Sequence, residues 1–285
     1  MARALEGKVA IITGASSGIG AATALAMAKA GIDLVLVARR RDKLEEVAKS
    51  VRHFGRKAHV VVGDVSDSSH VAGVLDDAEL HFGRFDIVFA NAGYGLERPV
   101  HLMEDAELRA IFEVNFFSSV ALLRESAKRL RTAKRPGHLL MCSSCLSKFS
   151  MPDHGAYSAS KAAQESICRA MRFELAEDHI EVASVHPITT TTEFFSESSL
   201  RSGTQGGSVS DHAPKWFIQS PDRVADAIIA CLRRPKSEVW TSHIVRYSCA
   251  LFTAFPWILD AVLRSQIKQK TRRRAHNLKP TAKVH

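Results

Sequence analysis

The sequence predicts the α/β fold class: a doubly wound parallel sheet with helices on both faces, in a single domain that carries a helical C-terminal extension. Three observations lead there. Short β-branched runs alternate with amphipathic stretches of helical length through most of the chain. The runs are apolar over their whole length, which suits strands covered on both faces. A glycine-rich turn joins the first run directly to the first helix, as in a βαβ unit.

In chain order, Val9 to Ile12, Leu34 to Val37, Val60 to Val62 and Ile87 to Phe89 read as strands. Gly18 to Ala30, Asp42 to Phe54 and Ser66 to Phe82 have helical length and mixed polarity. A long helix from Glu104 to Arg131 follows, then a strand from Gly137 to Cys142, a helix from Gly155 to Asp178 and a strand from Val182 to Val185. Residues 196–213 are rich in serine and glycine, too weakly apolar to hold a core, and their place after the sixth strand suggests a mobile lid. Pro221 opens a helix through Leu232, with Asp222 in its first turn and Arg233 and Arg234 at its end, charges that suit the helix dipole.

Composition agrees with a globular protein: 285 residues, 46% hydrophobic and 24% charged. The five cysteines are odd in number and sit mostly in apolar surroundings; with no secretory signal visible, reduced thiols in a cytoplasmic setting are expected. Cys142 and Cys145 form a CxxC, but no second pair or spaced histidines complete a metal set, so no metal is expected. The formal net charge of +9 gathers in two places. Arg39, Arg40, Arg41 and Lys43 follow the second strand, where they can meet a phosphate. Lys268, Lys270, Arg272, Arg273, Arg274, Lys279 and Lys283 form a tail with no acidic residue after Asp260. That run is short and lacks interleaved aromatics, so nucleic acid is not expected as a partner.

The turn Thr13-Gly14-Ala15-Ser16-Ser17-Gly18-Ile19-Gly20 connects the first strand to the first helix. Gly14 makes the tight turn, Gly18 admits a pyrophosphate to the backbone, and Gly20 lets helix and strand pack closely. The free N–H groups of the helix start then face negative charge. An NAD-preferring site has an acidic residue near the end of the second strand; here Ala38 is followed by three arginines, which predicts NADP (NADPH), held by Arg39 first and Arg40 second. Tyr157 and Lys161, four residues apart at the start of a helix, share one face. A phenol has a reference pKa of about 10, and a nearby ammonium that lowers it by about 2–3 units makes it a usable proton donor and acceptor.

These motifs together resemble the short-chain dehydrogenase/reductase family over about residues 7–240. The family's TGxxxGIG is Thr13 to Gly20, its NAG is Asn91-Ala92-Gly93, its helix asparagine is Asn115, and its serine, thirteen residues before the tyrosine, is Ser144. The resemblance implies a Rossmann-type dinucleotide-binding and catalytic domain over 1–240, with 241–285 as a C-terminal helical extension and basic tail. It implies that Tyr157 is the general acid or base, that Ser144 binds the substrate oxygen, and that Lys161 tunes Tyr157 and holds the nicotinamide ribose. Asn115 is implied to hold a relay water, and Asp64 and Val65 to meet the adenine, with Asn91, Ala92 and Gly93 alongside the adenine ribose. Pro187 and Thr192 are implied to line the nicotinamide side, and a dimer or tetramer is expected. Three positions depart from the pattern: Ala90, Ser147 in place of a glycine, and Ile188, where a glycine usually follows Pro187. A sensor that binds nucleotide without turning it over is the competing reading, and an intact tetrad argues against it.

Leu146, Phe149, Met151, Tyr94, Phe194 and Phe195 lie in segments expected to line the substrate side, which predicts a lipophilic carbonyl or alcohol substrate. In the extension, an apolar stretch of about 12 residues from Ser248 to Leu259 is interrupted by Pro256 and is too short to span a bilayer. It is expected to cover the pocket or a subunit interface, or to touch a membrane peripherally through Trp257 and the basic run.

Overall fold

The computed structural model describes residues 2–203 and 217–277. Seven parallel strands are ordered β3-β2-β1-β4-β5-β6-β7, with β1 at Val9–Thr13, β2 at Asp33–Ala38, β3 at Ala58–Val62, β4 at Ile87–Ala90, β5 at Gly137–Cys142, β6 at Ile180–His186 and β7 at Glu238–Trp240. The strand order reverses between β1 and β4, which opens a crevice at the carboxyl ends of the strands.

Both faces of the sheet are buried, for a reason visible in the strands. Ala10 and Ile12 of β1 and Leu34 and Leu36 of β2 point to one side; Ile11, Val35 and Val37 point to the other. The first side is covered by helices α1 (Gly18–Lys29), α2 (Arg41–His53) and α8 (Pro221–Arg233), through Ala24, Met27, Leu44, Val51, Val224 and Ile228. Small residues along α1 let it pack closely against α8. The second side is covered by α3 (Ser68–Phe82), α5 (Ser118–Thr132) and α6 (Gly155–Glu174), through Leu75, Leu122, Leu123, Leu130 and Cys168.

The single helix expected from Glu104 to Arg131 is α4 (Asp105–Phe112) and α5 joined by a π-helical turn at Glu113–Phe117. Such wide turns mark places where one residue is held out of register for a task; Asn115 lies in it, wholly buried. Glu104 and Glu107 close α4 with a reciprocal capping box. The strand β7 was not expected, because three residues beginning with a glutamate carry too little apolar pattern. The serine-rich segment begins in order: α7 runs Phe194–Ser202 and ends at Gly203 with a positive φ. The rest of the expected lid, 204–213, lies outside the described residues.

The extension forms α9 (His243–Ala254) and α10 (Pro256–Asn277). Pro256 does not merely interrupt an apolar stretch; it starts the second helix, where its missing N–H costs nothing. One face of α9 packs Val245 and Cys249 against Cys145 and Ile188, while Ile244, Tyr247, Leu251 and Phe255 on the opposite face stay exposed. Among the described residues no helix is long and apolar enough to cross a membrane. The side chains of Lys268 to Arg274, and all of Lys279 and Lys283, lie outside the described residues.

Asp86 ties the lower ends of three strands together. Its side chain, 3% exposed, accepts from Val9 N at 3.0 Å, Lys8 Nζ at 3.3 Å and the Arg84 guanidinium, while its carbonyl accepts from His138 N at 2.9 Å. Replacing it by alanine leaves the Val9 amide and two cations without their acceptor. Asp86→Ala is expected to lower unfolding free energy by about 2 kcal/mol in denaturant titrations; a change within experimental error contradicts this assignment.

Candidate active site

The crevice is built on the glycine turn between β1 and α1. Gly18 has φ +55°, and a Cβ there would lie 2.9 Å from Thr192 Cγ2, so only glycine admits the loop that follows β6. Asn91 holds the other edge: its Nδ2 donates to Thr13 O at 3.0 Å and Gly14 O at 3.3 Å. Thr13 Oγ1 accepts from Asn91 N at 3.0 Å and Ala92 N at 3.1 Å. The expected cofactor residues Gly14, Asn91 and Ala92 thus share one hydrogen-bonded edge, Gly20 packs closely against Gly14 O and Asn91 Nδ2, and Ile19 packs into the core behind them. Ser17 caps α1 without a side-chain hydrogen bond, which leaves the leading N–H groups of the helix facing the crevice.

The basic cluster lies at the start of α2, where positive side chains oppose the helix dipole. Two carboxylates from other elements meet it. Arg39 NH1 lies 3.6 Å from Asp64 Oδ2. Asp64 is held below the usual carboxylate range, first by the Ser66 N–H, with the Ser66 hydroxyl and Arg39 adding to it against a cost of burial. Its neighbour Val65 borders a small cavity with Thr13, His70 and Leu122. Arg40 donates to Glu193 Oε2 at 2.7 Å and to Ser17 Oγ at 2.8 Å and Ser16 Oγ at 3.2 Å. Lys43 also pairs with Glu193, and Lys43 and Arg40 together pull that carboxyl down to about 2. Glu193 escaped the sequence reading: it follows Thr192 directly, but only the fold brings it to the arginines.

Ser144 caps a 3-10 turn at Cys145–Ser147, its hydroxyl accepting from Leu146 N at 3.1 Å. Tyr157 lies in the first turn of α6, with the Ser144 hydroxyl near its phenol. Lys161 is 4% exposed; its Nζ donates to Cys142 O at 2.7 Å and stands 5.6 Å from the centre of the Tyr157 ring. Gly93 leaves the room: a Cβ there would lie 2.9 Å from Asn115 Oδ1 and 3.5 Å from Lys161 Nζ. Asn115 joins the elements, with Oδ1 accepting from Tyr94 N at 2.9 Å and Nδ2 donating to Tyr94 O at 3.0 Å and Ser160 Oγ at 3.1 Å. Its backbone carbonyl accepts from Gln164 Nε2 on α6. The four tetrad residues are therefore in one place.

Their electrostatics differ from the sequence expectation in one respect. Burial pushes the Tyr157 phenol above its ordinary value, and the nearby Ser144 hydroxyl offsets only part of that. Burial is the largest cause and sets the direction opposite to the expected lowering. Burial also lowers the Lys161 ammonium, to about 8.

A polar network behind Ser144 was not read from the sequence. His186, buried at the end of β6, donates from Nδ1 to Ser144 O at 3.1 Å, and its Nε2 lies 2.9 Å from Ser184 Oγ. Its ring stacks on Trp240 at 4.5 Å, and burial keeps the imidazole pKa below its usual value. Ser147, the departure from the family glycine, donates to Glu165 Oε2 at 2.8 Å. Glu165 and Glu238 are both paired with Lys148, so the ammonium fills the centre of this cluster. Cys145 N donates to Pro187 O at 3.1 Å. Ile188 is buried with Cys145, Val245 and Cys249, so the missing glycine is replaced by a contact to the extension.

On the substrate side Phe194 packs edge-on to Tyr157 at 5.7 Å and to Phe195 at 5.6 Å, and Tyr94 joins the same apolar cluster as Tyr157. Leu146 and Phe149 instead turn toward the extension, where Phe149 meets Phe252 at 5.8 Å.

Comparison with known proteins agrees with this geometry. Residues 8–202 match the family model described as short chain dehydrogenase. An uncharacterized oxidoreductase of Mycobacterium tuberculosis is 32% identical over 281 residues, covering 96% of this chain and 75% of its own. An alcohol dehydrogenase from Thermococcus sibiricus, solved with 5-hydroxy-NADP, superposes with TM-score 0.70 at 29% identity, covering 82% of this chain and 95% of its own. A short chain dehydrogenase from Mycobacterium paratuberculosis, solved with NAD, superposes with TM-score 0.72 at 27% identity over 84% and 97%.

The buried ammonium has a consequence for stability. Below pH 8 both folded and unfolded chains keep Lys161 protonated, and the folded state bears the full cost of burying the charge. Between about 8 and 10.5 the unfolded chain binds the extra proton, so stability rises with pH and the cost disappears. Lys161→Met is expected to be more stable than the parent at pH 7 by about 2 kcal/mol, allowing for the lost bond to Cys142, with the gap closing by pH 10.5. A variant less stable at pH 7 contradicts this.

Proposed function

Because the chain belongs to the short-chain dehydrogenase/reductase family, and so is an oxidoreductase acting on CH–OH and C=O groups, we propose that it depends on NADP(H) and acts on a lipophilic carbonyl or alcohol, with Tyr157 as general acid and base. The observation that carries the reading is the constellation of buried Ser144, Lys161 and Asn115 around the partly buried Tyr157 in the crevice.

The crevice fits a dinucleotide: the uncapped start of α1 and the glycine turn suit a pyrophosphate, and the arginines suit a 2′-phosphate. Gly14, Ser16, Ser17, Gly18, Ile19 and Gly20 would hold the pyrophosphate side, with Arg39 and Arg40 on the phosphate. Asp64, Val65, Asn91, Ala92 and Gly93 would take the adenosine end. Lys161, Pro187 and Thr192 would hold the nicotinamide end, where the cofactor supplies the hydride.

In reduction, Tyr157 gives its hydroxyl proton to the substrate oxygen while the Ser144 hydroxyl hydrogen-bonds that oxygen. A phenol raised by burial is fully protonated at rest, which suits it as an acid. Lys161, whose ammonium is loosely held, stabilises the phenolate left behind and returns a proton to it. Asn115 keeps Tyr94 and α6 in register and lies beside Lys161 on the route for that proton. Oxidation runs the same transfers in reverse.

Phe194 and Tyr94 beside Tyr157 support a lipophilic substrate. Exposed Leu108, Phe117 and Phe173 on the helices of the tetrad support self-association. Ile244, Tyr247, Leu251 and Phe255 form one exposed stripe on α9, with Trp257 next to it, and support peripheral contact with a membrane.

NADPH is expected to bind more tightly than NADH in fluorescence titrations, with Arg39→Ala and Arg40→Ala shrinking the difference; equal affinity in the parent overturns NADP dependence. In an NADPH-oxidation screen of lipophilic ketones and aldehydes, Tyr157→Phe is expected to abolish turnover and keep cofactor binding. Retained turnover refutes the proton-transfer role.

A further inference from the structure

Among the described residues, two clusters bring imidazole and carboxylate groups within ligating distance of one another: Glu165, His186 and Glu238 behind the candidate active site, and His59, Asp77 and His81 at the far edge of the sheet. They differ in what neutralises them. In the first, Lys148 pairs with both carboxylates and occupies the place an ion would take. In the second, among the described residues, no lysine or arginine pairs with Asp77; its ionic neighbour is His59, with Nε2 3.9 Å from Oδ2.

The second cluster is assembled by rigid elements. His59 is on β3, the edge strand, and Asp77 and His81 are one turn apart on α3, which packs beside it. The two imidazoles lie face to face, centroids 3.6 Å apart and planes at 24°. His81 Nδ1 is 2.9 Å from the Asp77 carbonyl, to which it donates, so the proton sits on Nδ1 and Nε2 presents its lone pair. A hydrogen bond from the non-ligating nitrogen to a carbonyl is the usual support of a metal-bound histidine. Two imidazoles stacked beside one carboxylate that no lysine or arginine pairs with, among the described residues, form an unusual surface group. A divalent ion would give all three a shared partner.

We propose that His59, Asp77 and His81 form a binding site for a borderline divalent transition metal, Zn²⁺ or a similar ion, that staples α3 to the edge strand. Tetrahedral zinc ligands at about 2.0–2.1 Å from the ion stand about 3.4 Å from one another. The His59–Asp77 separation is 3.9 Å and all three ligand atoms lie within 4.8 Å of one another, so drawing them to that spacing takes shifts of about half an ångström to about 1.4 Å. Three protein ligands leave the fourth position to water on the exposed side of His81. The site is apart from the tetrad, so its role is stability of the β3–α3 edge and not hydride chemistry.

The test uses the full chain, stripped of metal and titrated with Zn²⁺ against a chromophoric chelator, with thermal unfolding measured in parallel. One equivalent is expected to bind and raise the Tm. His81→Ala and Asp77→Asn, both at solvent-accessible positions, should each weaken binding by more than about ten-fold, and the double variant H59A/H81A should abolish both effects. His243→Ala, an exposed histidine elsewhere, should change neither. Absence of stoichiometric binding in the parent, or binding and a Tm shift that survive in H59A/H81A, overturns the assignment. Circular dichroism of each variant separates loss of the site from loss of the fold, and D77N, nearly isosteric, carries the test if the histidine variants unfold.

Discussion

Lys161 brings an ammonium into a nearly waterless corner of the fold, and much of the surrounding architecture accommodates it. A charge so placed needs a close acceptor, and the Cys142 carbonyl at the end of β5 supplies one at 2.7 Å. It also needs space, which the bare α-carbon of Gly93 leaves. The π-helical turn sets Asn115 against the same corner, where it binds the backbone of Tyr94 and the side chain of Ser160. Disturbing any of these moves the charge that stands beside the Tyr157 ring.

The serine side of the site depends on a second constraint, the position of the turn after β5. His186 holds its carbonyl, Pro187 holds the next amide, and the Lys148 pairs fix the elements around His186. The C-terminal extension completes this support by burying Ile188 and Cys145 under α9. The departures at Ser147 and Ile188 both make contacts that a glycine cannot: Ser147 with Glu165 and His186, Ile188 with Cys145 and the extension.

The sheet and the shared helix face of Tyr157 and Lys161 were legible in the sequence because their signals are local. Apolar runs such as Leu34 to Val37 mark doubly covered strands, and Tyr157 and Lys161 carry their relationship in a spacing of four. What was not legible depends on meetings between distant segments. Glu193 and Arg40 are 153 residues apart, and nothing in either neighbourhood announces their pairing. The break in the long helix at Asn115 escaped because a π-turn keeps helical propensity and periodicity on both sides. The same is true of electrostatics: sequence spacing suggests that Lys161 lowers Tyr157, while burial, which only the fold reveals, sets the opposite direction.

The proposed proton path needs a phenol that stays protonated and a lysine whose proton is loosely held. The pH dependence of kcat/KM for carbonyl reduction, which reports groups of the free enzyme, reads this most directly. The rate is predicted to fall above an inflection near pH 8, as the Lys161 ammonium is lost. A profile that is flat through pH 10, or that rises with pH, would contradict the assignment of the proton path to Tyr157 and Lys161.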